Sequence, residues 1–267
     1  MLKGLIEAAI AGGEAILPIY RDLTQCQTRS KDDGSPVTIA DEAAERAVVA
    51  VLARVAPGIV IVAEEECAAG NTPVTADRFL LVDPLDGTKE FVGGSGDFTV
   101  NIALIDHGVP VMGVVLSPAT GAIYAGDADG ARRGQVQDGH VIDWQPVQSA
   151  QAGESVRVIA SRSHLTAETR DYCNRFPVGA FVSAGSSLKF CRVAEGAADL
   201  YPRMGRTMEW DTAAGDAVLR AAGGRVRTLD GNDLLYGKRH QADDADFANP
   251  WFVAHGGFDP FAVETRP

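Results

Sequence analysis

Cysteine is scarce in this sequence, with four in 267 residues. Cys26, Cys67, Cys173 and Cys191 stand far apart, without a Cys-x-x-Cys pair or a Cys/His spacing suited to zinc. A disulfide framework and a structural zinc site are therefore excluded. Reduced, buried or half-buried thiols of a cytoplasmic protein are expected instead. No run of about 18 apolar residues occurs, which excludes a spanning helix. Acid at Glu7 and Glu14 interrupts the first residues, which lack the pattern of a secretory leader. A cytoplasmic location is expected, with association at the inner face of the membrane left open. Lys/Arg-rich blocks are missing too, and the formal net charge is −12 with a pI of about 4.8. Attraction to a nucleic-acid backbone is thereby disfavoured as the main mode of action. An anionic small molecule remains admissible if cations invert the local field. Internal repeats and low-complexity segments are also absent.

What is present is a globular composition, 46% hydrophobic and 22% charged, in a chain long enough for one large domain or two lobes. Leu2, Leu5, Ile6, Ala9, Ile10, Gly13, Ile16, Leu17 and Tyr20 recur at helical spacing and predict an amphipathic first helix. Residues 24–36 read as a polar loop. Thr38 then reads as the N-cap of a second helix, with Asp41 three residues on in a capping-box arrangement. Ala44, Val48, Leu52 and Val55 line its apolar face, and Pro57-Gly58 stops it. Residues 59–63 read as a short strand broken by Glu64-Glu65-Glu66, with a polar loop over 67–77. Residues 79–82 form a buried strand. Residues 98–105 and 109–116 form a hairpin across Asp106-His107-Gly108, and 122–125 add a strand. Residues 126–154 show little periodicity and are the expected lobe boundary. Beyond them, strands at 156–160, 180–183, 198–201 and 224–228 alternate with helices at 166–175, 188–195 and 212–222, and 251–254 would close the sheet. Early helices, then hairpins, then alternating elements predict a layered α+β architecture with sheets stacked on helices. The expectation is one domain over 1–267 with two lobes, 1–150 and 151–267.

The strand predicted at 79–82 ends in Asp83-Pro84-Leu85-Asp86-Gly87-Thr88. Pro84 fixes its φ and lacks a backbone donor, and Gly87 lets the backbone approach a ligand. Two carboxylates 4 Å apart repel by about 4 kcal/mol at an effective dielectric of about 20. A hard divalent cation such as magnesium, which prefers oxygen ligands, relieves that cost. A turn with solvated Asp side chains would use the same residues. Glu64 at a strand end and Asp211 before a predicted helix start bring the acidic positions to four. Each has an ordinary explanation. Glu65 and Glu66 stand beside Glu64 with nothing to choose between them, and Asp211 suits an N-cap. Asp41 alone suits its capping box, His164 a surface helix start, Lys189 a solvated helical lysine, and Trp210 a packing residue behind Asp211.

Taken together, three segments in this order resemble the inositol monophosphatase superfamily of metal-dependent, lithium-sensitive phosphatases. They are Glu64-Glu65 after a strand, Asp83-Pro84-Leu85-Asp86-Gly87-Thr88, and Trp210-Asp211-Thr212-Ala213-Ala214-Gly215. Within the superfamily the chain is most similar to the bacterial 3′(2′),5′-bisphosphate nucleotidases of sulfur metabolism. That likeness rests on Asp86-Gly87-Thr88-Lys89-Glu90-Phe91, residues 98–105, Ser161-Arg162-Ser163-His164 and Gly185-Ser186-Ser187-Leu188-Lys189-Phe190, and it runs from residue 5 to residue 253.

The resemblance implies the α+β layered sandwich of the inositol monophosphatase and fructose-1,6-bisphosphatase type, with alternating α/β/α/β/α layers. It also implies two or three Mg2+ ions. Glu64, Asp83, Asp86 and Asp211 resemble the side-chain magnesium ligands, Leu85 would lend its carbonyl, and Asp83 would bridge two ions. Asp41 and Thr88 resemble the pair that orients and deprotonates the attacking water. Backbone amides around Gly87 and Thr88 would hold the phosphate, as oriented amides do for anions. Glu64, Leu85, Asp86 and Asp211 would also meet the substrate, and Ser161, His164, Gly185 and Lys189 resemble the nucleotide side of the pocket. Ala63 departs from the Ser that related chains often carry.

The implied activity is hydrolysis of adenosine 3′,5′-bisphosphate to AMP and phosphate, with 3′-phosphoadenylyl sulfate as a second substrate. The metal residues suit inositol monophosphate or fructose 1,6-bisphosphate equally well, although Lys89-Glu90-Phe91 in place of an Asn-containing segment favours the nucleotide. A non-catalytic nucleotide-binding module is a further reading. Monomer and homodimer both stay open.

Overall fold

The computed structural model describes residues 1–23, 28–30, 36–160 and 166–262, with backbone alone at 28–30 and 36. Cys26, Ser161 and His164 lie outside the described residues.

Helix α1 (Leu2–Arg21) packs beside helix α2 (Ile39–Val55), and between them runs a short antiparallel pair, β1 (Thr28–Ser30) and β2 (Pro36–Thr38). The pair occupies part of the expected polar loop. The capping box expected at α2 is present. Thr38 Oγ1 accepts from the Ala40 amide at 3.1 Å, and the Asp41 carboxylate accepts from the Thr38 amide at 2.7 Å. Strand β3 (Val60–Ala63) runs directly into the short helix α3 (Glu64–Ala68), so the acidic triplet opens a helical turn and not a loop. Strand β4 (Arg78–Asp86) has nine residues and carries pairing through the acidic motif into helix α4 (Thr88–Val92). It is longer than expected because cross-strand pairing with the next strand tolerates the Pro84 bulge.

The predicted hairpin is formed by β5 (Thr99–Asp106) and β6 (Val109–Leu116), and β7 (Ala122–Asp127) follows. The aperiodic stretch then holds two further strands, β8 (Gly130–Gln137) and β9 (His140–Val147). β9 is an edge strand with every residue exposed or half-exposed, so burial imposes no alternation on its sequence. Strands β3 to β9 form one seven-stranded sheet in chain order, parallel at β3–β4 and antiparallel elsewhere.

The remaining elements are β10 (Val156–Ala160), α5 (Ala167–Cys173), β11 (Val178–Ser183), α6 (Leu188–Ala194), β12 (Leu200–Arg203), α7 (Ala213–Ala221), β13 (Arg225–Thr228) and β14 (Phe252–His255). They form a five-stranded sheet in the order β11-β10-β12-β14-β13. β14 lies inside this sheet, between β12 and β13, where all four of its residues are buried.

Three buried clusters show how the layers stack. On one face of the large sheet Leu80, Val82, Val100, Ile102 and Leu104 meet Leu5, Ile16, Val48 and Leu52 of α1 and α2. On the other face Phe79, Leu81, Ala103 and Ile105 join Phe190, Val193, Val218 and Leu219 of α6 and α7, together with Tyr201, Val226 and Phe252 of the small sheet. Beyond that sheet, Val156, Val158, Leu200 and Val253 pack on Tyr172 and Cys173 of α5. The order is α/β/α/β/α, as the family resemblance implies. β4 and β5 are buried on both faces, which explains why they read as unbroken apolar runs. Cys67, Cys173 and Cys191 are free thiols, the first half-buried and the others buried.

Helix α7 lies close on the large sheet because two cross-strand neighbours there, Gly113 and Gly126, lack side chains. A Cβ on Gly113 would stand 2.7 Å from Ala217 Cβ, and one on Gly126 would stand 2.8 Å from Val218 Cα. Gly113→Ala should therefore cost about 1–3 kcal/mol, the usual range for overpacking a filled interior. Urea denaturation would measure it, and an unchanged midpoint would refute the close-packing account.

Candidate active site

Residues three apart on a regular strand point to opposite faces. Asp83 pairs with Asn101 and Asp86 with Thr99, so β4 spends one more residue than β5 between the two pairs. This bulge changes the parity and brings both carboxylates to one side. Pro84 suits the bulge, since it has no amide to leave unpaired. The Leu85 amide donates to Asp83 Oδ1 at 3.0 Å, which fixes the turn.

Glu64 arrives at the same place from the start of α3, and Asp211 from the turn before α7. Ligand oxygens of Glu64, Asp83 and Asp211 all lie within 4.8 Å of one another. Asp83 is 1% exposed. Asp211 is not the N-cap of α7, a position held by Thr212. Its Oδ2 accepts from the Met208 amide at 2.8 Å, turned back from the helix. That turn is held by Asn249, whose Nδ2 donates to the Met208 carbonyl at 2.8 Å and to Thr212 Oγ1 at 3.0 Å. The neighbouring Glu209 is fully buried and accepts from the amides of Gly237 and Lys238 at 2.6 and 2.9 Å. Asp86 stands beside the three-acid group. Its Oδ2 accepts from Ser186 Oγ and from the Ser187 amide, each at 2.7 Å, and so joins the large sheet to the loop before α6.

The distant pair Asp41 and Thr88 is also brought together. Thr88 Oγ1 donates to Asp41 Oδ1 at 3.2 Å, while Asp41 Oδ2 is held by the amide and hydroxyl of Thr38 at 2.7 Å each. The capping box and the Thr88 contact therefore use different oxygens of one carboxylate.

Asp86, Thr88 and Asp211 open onto a cavity of about 320 Å³. Its other lining includes Lys89, Lys189, Arg203 and Arg206. Lys189 is buried, not solvated. Its Nζ donates to the Ser186 carbonyl at 2.6 Å and lies 5.5 Å from the centre of the Tyr201 ring. Burial lowers its pKa to about 8, against the opposing pull of Asp86. Gly87 has φ 92°, a conformation that suits glycine, and lines the cavity. Gly185 does not line it. A Cβ there would stand 2.6 Å from the Asp97 carbonyl oxygen, so Gly185 serves the close approach of the α6 loop to the segment after α4. Trp210 is buried against Phe247, as its packing role requires. Arg203, Arg206 and Tyr201 were not signalled by the sequence, because they fall in a short strand and a turn without periodic pattern. Glu45 had one signal, an acid on the buried face of α2 one turn after Asp41.

The donors are all hard oxygens, and their electrostatics calls for a cation. Burial pushes the Asp83 carboxyl well up, and the charges of Glu64, Asp86 and Asp211 push the same way. Asp211 is raised mainly by burial, then by Asp86 and Glu64. Glu64, Asp83, Asp86 and Asp211 with the Leu85 carbonyl thus fit magnesium by donor chemistry. The sign for stability follows. Asp83 holds its proton to higher pH in the folded than in the unfolded state. Between the ordinary carboxylate range and that raised value the folded state binds more protons, so the cation-free protein loses stability as pH rises. Asp83→Asn should remove this penalty and stabilise the protein in chelator at neutral pH. A thermal melt that shows the variant less stable than wild type would refute it.

Comparison with known proteins agrees with this geometry. A model of the inositol monophosphatase family matches residues 1–254. The 3′(2′),5′-bisphosphate nucleotidase CysQ of Shigella flexneri is 42% identical over 252 residues, covering 94% of this chain and 98% of the relative. CysQ of Escherichia coli K12 is 41% identical over the same shares. The crystal structure of CysQ from Bacteroides thetaiotaomicron has a TM-score of 0.77 at 37% identity and covers 97% of each chain. With the layered fold and nearly the whole length in agreement, this chain belongs to the inositol monophosphatase family.

Proposed function

We propose that this protein is a magnesium-dependent phosphomonoesterase that hydrolyses adenosine 3′,5′-bisphosphate to AMP and phosphate, with 3′-phosphoadenylyl sulfate as a second substrate. The observation that carries the reading is a cavity lined both by the acids Asp86 and Asp211 and by Lys89, Lys189, Arg203 and Arg206. Such a cavity suits a substrate with two separate anionic groups, one to be cleaved at the acids and one to be held by the cations. Identity above 40% to CysQ nucleotidases over nearly the whole chain supports the nucleotide as that substrate. In this reading residues 1–150 form the lobe with most of the acids, and 151–267 the lobe with Asp211 and the nucleotide side. No described helix is long and apolar enough to cross a membrane, and we place the reaction in the cytoplasm.

Magnesium held by Glu64, Asp83, Asp86, Asp211 and the Leu85 carbonyl would neutralise the phosphoryl group and lower the pKa of the attacking water. The chain's own residues supply the proton path. Thr88 Oγ1 already directs its hydrogen to Asp41 Oδ1, so its lone pairs face the other way and accept the proton of water. As that proton arrives, the hydroxyl hydrogen passes to Asp41. The water oxygen bonds to phosphorus as the phosphorus–oxygen bond to the ribose breaks, and the ribose oxygen takes a proton from solvent. Burial of Asp41, with its second oxygen tied to Thr38, keeps the pair aligned before substrate arrives. Lys189, fixed by the Ser186 carbonyl, presents positive charge without having to be ordered first.

Phosphate release from adenosine 3′,5′-bisphosphate, inositol monophosphate and fructose 1,6-bisphosphate, measured in parallel, tests the substrate. The nucleotide should have the highest kcat/KM, and a higher value for inositol monophosphate would overturn the assignment. Thr88→Ala and Asp41→Asn should each lower kcat by about 10²–10⁴, the usual range for lost general acid–base catalysis, with cation-induced stabilisation retained. Lithium should inhibit at millimolar magnesium where equal sodium does not. Full activity in lithium would count against a metal site of this kind.

A further inference from the structure

Glu45 has no part in the reaction just described, yet it is 6% exposed and sits on the buried face of α2 among Ala40, Ala44 and Val48. Both of its oxygens are used. Oε2 accepts from the Glu65 amide at 2.8 Å and Oε1 from the Glu66 amide at 3.0 Å. These amides are the second and third of α3, immediately after Glu64. Helix α3 has five residues and its N-cap, Ala63, offers no side-chain bond. A helix of that length has little stability of its own, and its first amides need outside acceptors. The Glu45 carboxylate supplies two of them from a neighbouring element. Engaging both oxygens at once fixes the direction as well as the distance of the α3 turn.

Asp41 lies one turn earlier on the same helix and the same buried face. Helix α2 therefore grips two parts of the site, Thr88 through Asp41 and the start of α3 through Glu45. The two grips start four residues apart on one helix, about 6 Å along its axis, a spacing that side-chain motion cannot change.

We propose that Glu45 is a positioning residue for the cation site: by clamping the first turn of α3 it sets where the Glu64 carboxylate stands relative to Asp83 and to the Asp41–Thr88 pair. The inference rests on the reading of Glu64 as a cation ligand. Groups that hold a ligand's framework commonly change metal affinity or activity 10- to 100-fold when altered.

The test is Mn2+ binding to the full-length, chelator-stripped protein, followed by electron paramagnetic resonance, with circular dichroism as the check on folding. Glu45→Gln keeps the volume but turns a donor toward one of the two amides, and Glu45→Asp keeps the charge but falls one methylene short. Both should weaken Mn2+ binding by about 10-fold or more, and should raise the Mg2+ concentration for half-maximal rate in step. KM for the nucleotide at saturating Mg2+ should stay within about two-fold. Glu42→Gln, which removes a charge from the exposed side of the same helix, and Leu52→Ala, which loosens its packing, should bind Mn2+ as wild type does. If Glu45→Asp binds like wild type while Glu45→Gln does not, charge and not placement is responsible, and the proposal fails. It also fails if Leu52→Ala weakens binding as much as the Glu45 variants do. Wild-type protein that takes up no Mn2+ would overturn the metal reading itself, an outcome separate from either of these.

Discussion

The rest of the structure is organised around the repulsion of carboxylates gathered in a buried place. Asp83 and Asp211 are pushed toward protonation by burial and by one another's neighbours. At an effective dielectric of about 20 each close pair costs several kcal/mol, comparable with the net stability of a domain. A chain does not collect such groups by chance folding, and here three of the four are each held by a backbone amide. Asp83 takes that of Leu85, Asp86 that of Ser187, and Asp211 that of Met208. An amide stabilises a carboxylate without cancelling its charge. Lysine or arginine in contact would cancel it and occupy the oxygens a cation needs. Lys89, Lys189, Arg203 and Arg206 line the same cavity, where they would meet an anionic substrate.

This division explains how a protein of net charge −12 can serve a polyanionic substrate. The sign of the total charge governs approach at long range, where salt screens it within about 8–10 Å. Inside the cavity the arrangement of individual charges decides. Lys189 illustrates the price of that arrangement. Burial lowers its pKa to about 8, and its charge at neutral pH is kept by the Ser186 carbonyl and by the field of Asp86. The acid Asp86 therefore helps to keep Lys189 charged.

Much of this was legible in the sequence, and the unread part has a common cause. Apolar periodicity located α1, α2 and the β5–β6 hairpin, because their faces are set by what they bury. The acidic motif stood out because proline, glycine and two acids at a strand end satisfy several local rules at once. What local rules cannot show is where a chain turns under long-range pairing. The strand at 79–82 continues to Asp86 because β5 accepts a bulge there. Glu64-Glu65-Glu66, legible only as the end of a strand, opens a helix because Glu45, about twenty residues earlier, receives the amides of Glu65 and Glu66. Gly185, which the resemblance puts on the nucleotide side of the pocket, stands where two backbones pass too closely for a side chain. Strand β9 gave no sign because a half-exposed edge carries no alternation, and β8 beside it buries only two of its eight residues.

The acids come from both halves of the chain, so the site depends on the distance between the two sheets. Glu64, Asp83 and Asp86 ride on the large sheet, while Asp211 stands at the start of the helix packed beneath it. That distance is set by the α6–α7 layer, and the layer is thin by composition. Gly113 and Gly126 admit α7 to the large sheet, and Gly215 of α7 admits the Phe190 ring, where a Cβ would stand 2.5 Å from the ring edge. Phe190 in turn packs on Tyr201 and Phe252 of the small sheet at 5.1 and 5.8 Å between ring centres. A continuous column of close contacts thus runs from β6 and β7 of the large sheet to the sheet that bears Arg203. Small residues in this column are commonly read as filler. Here they fix a separation that four mutually repelling carboxylates would otherwise widen.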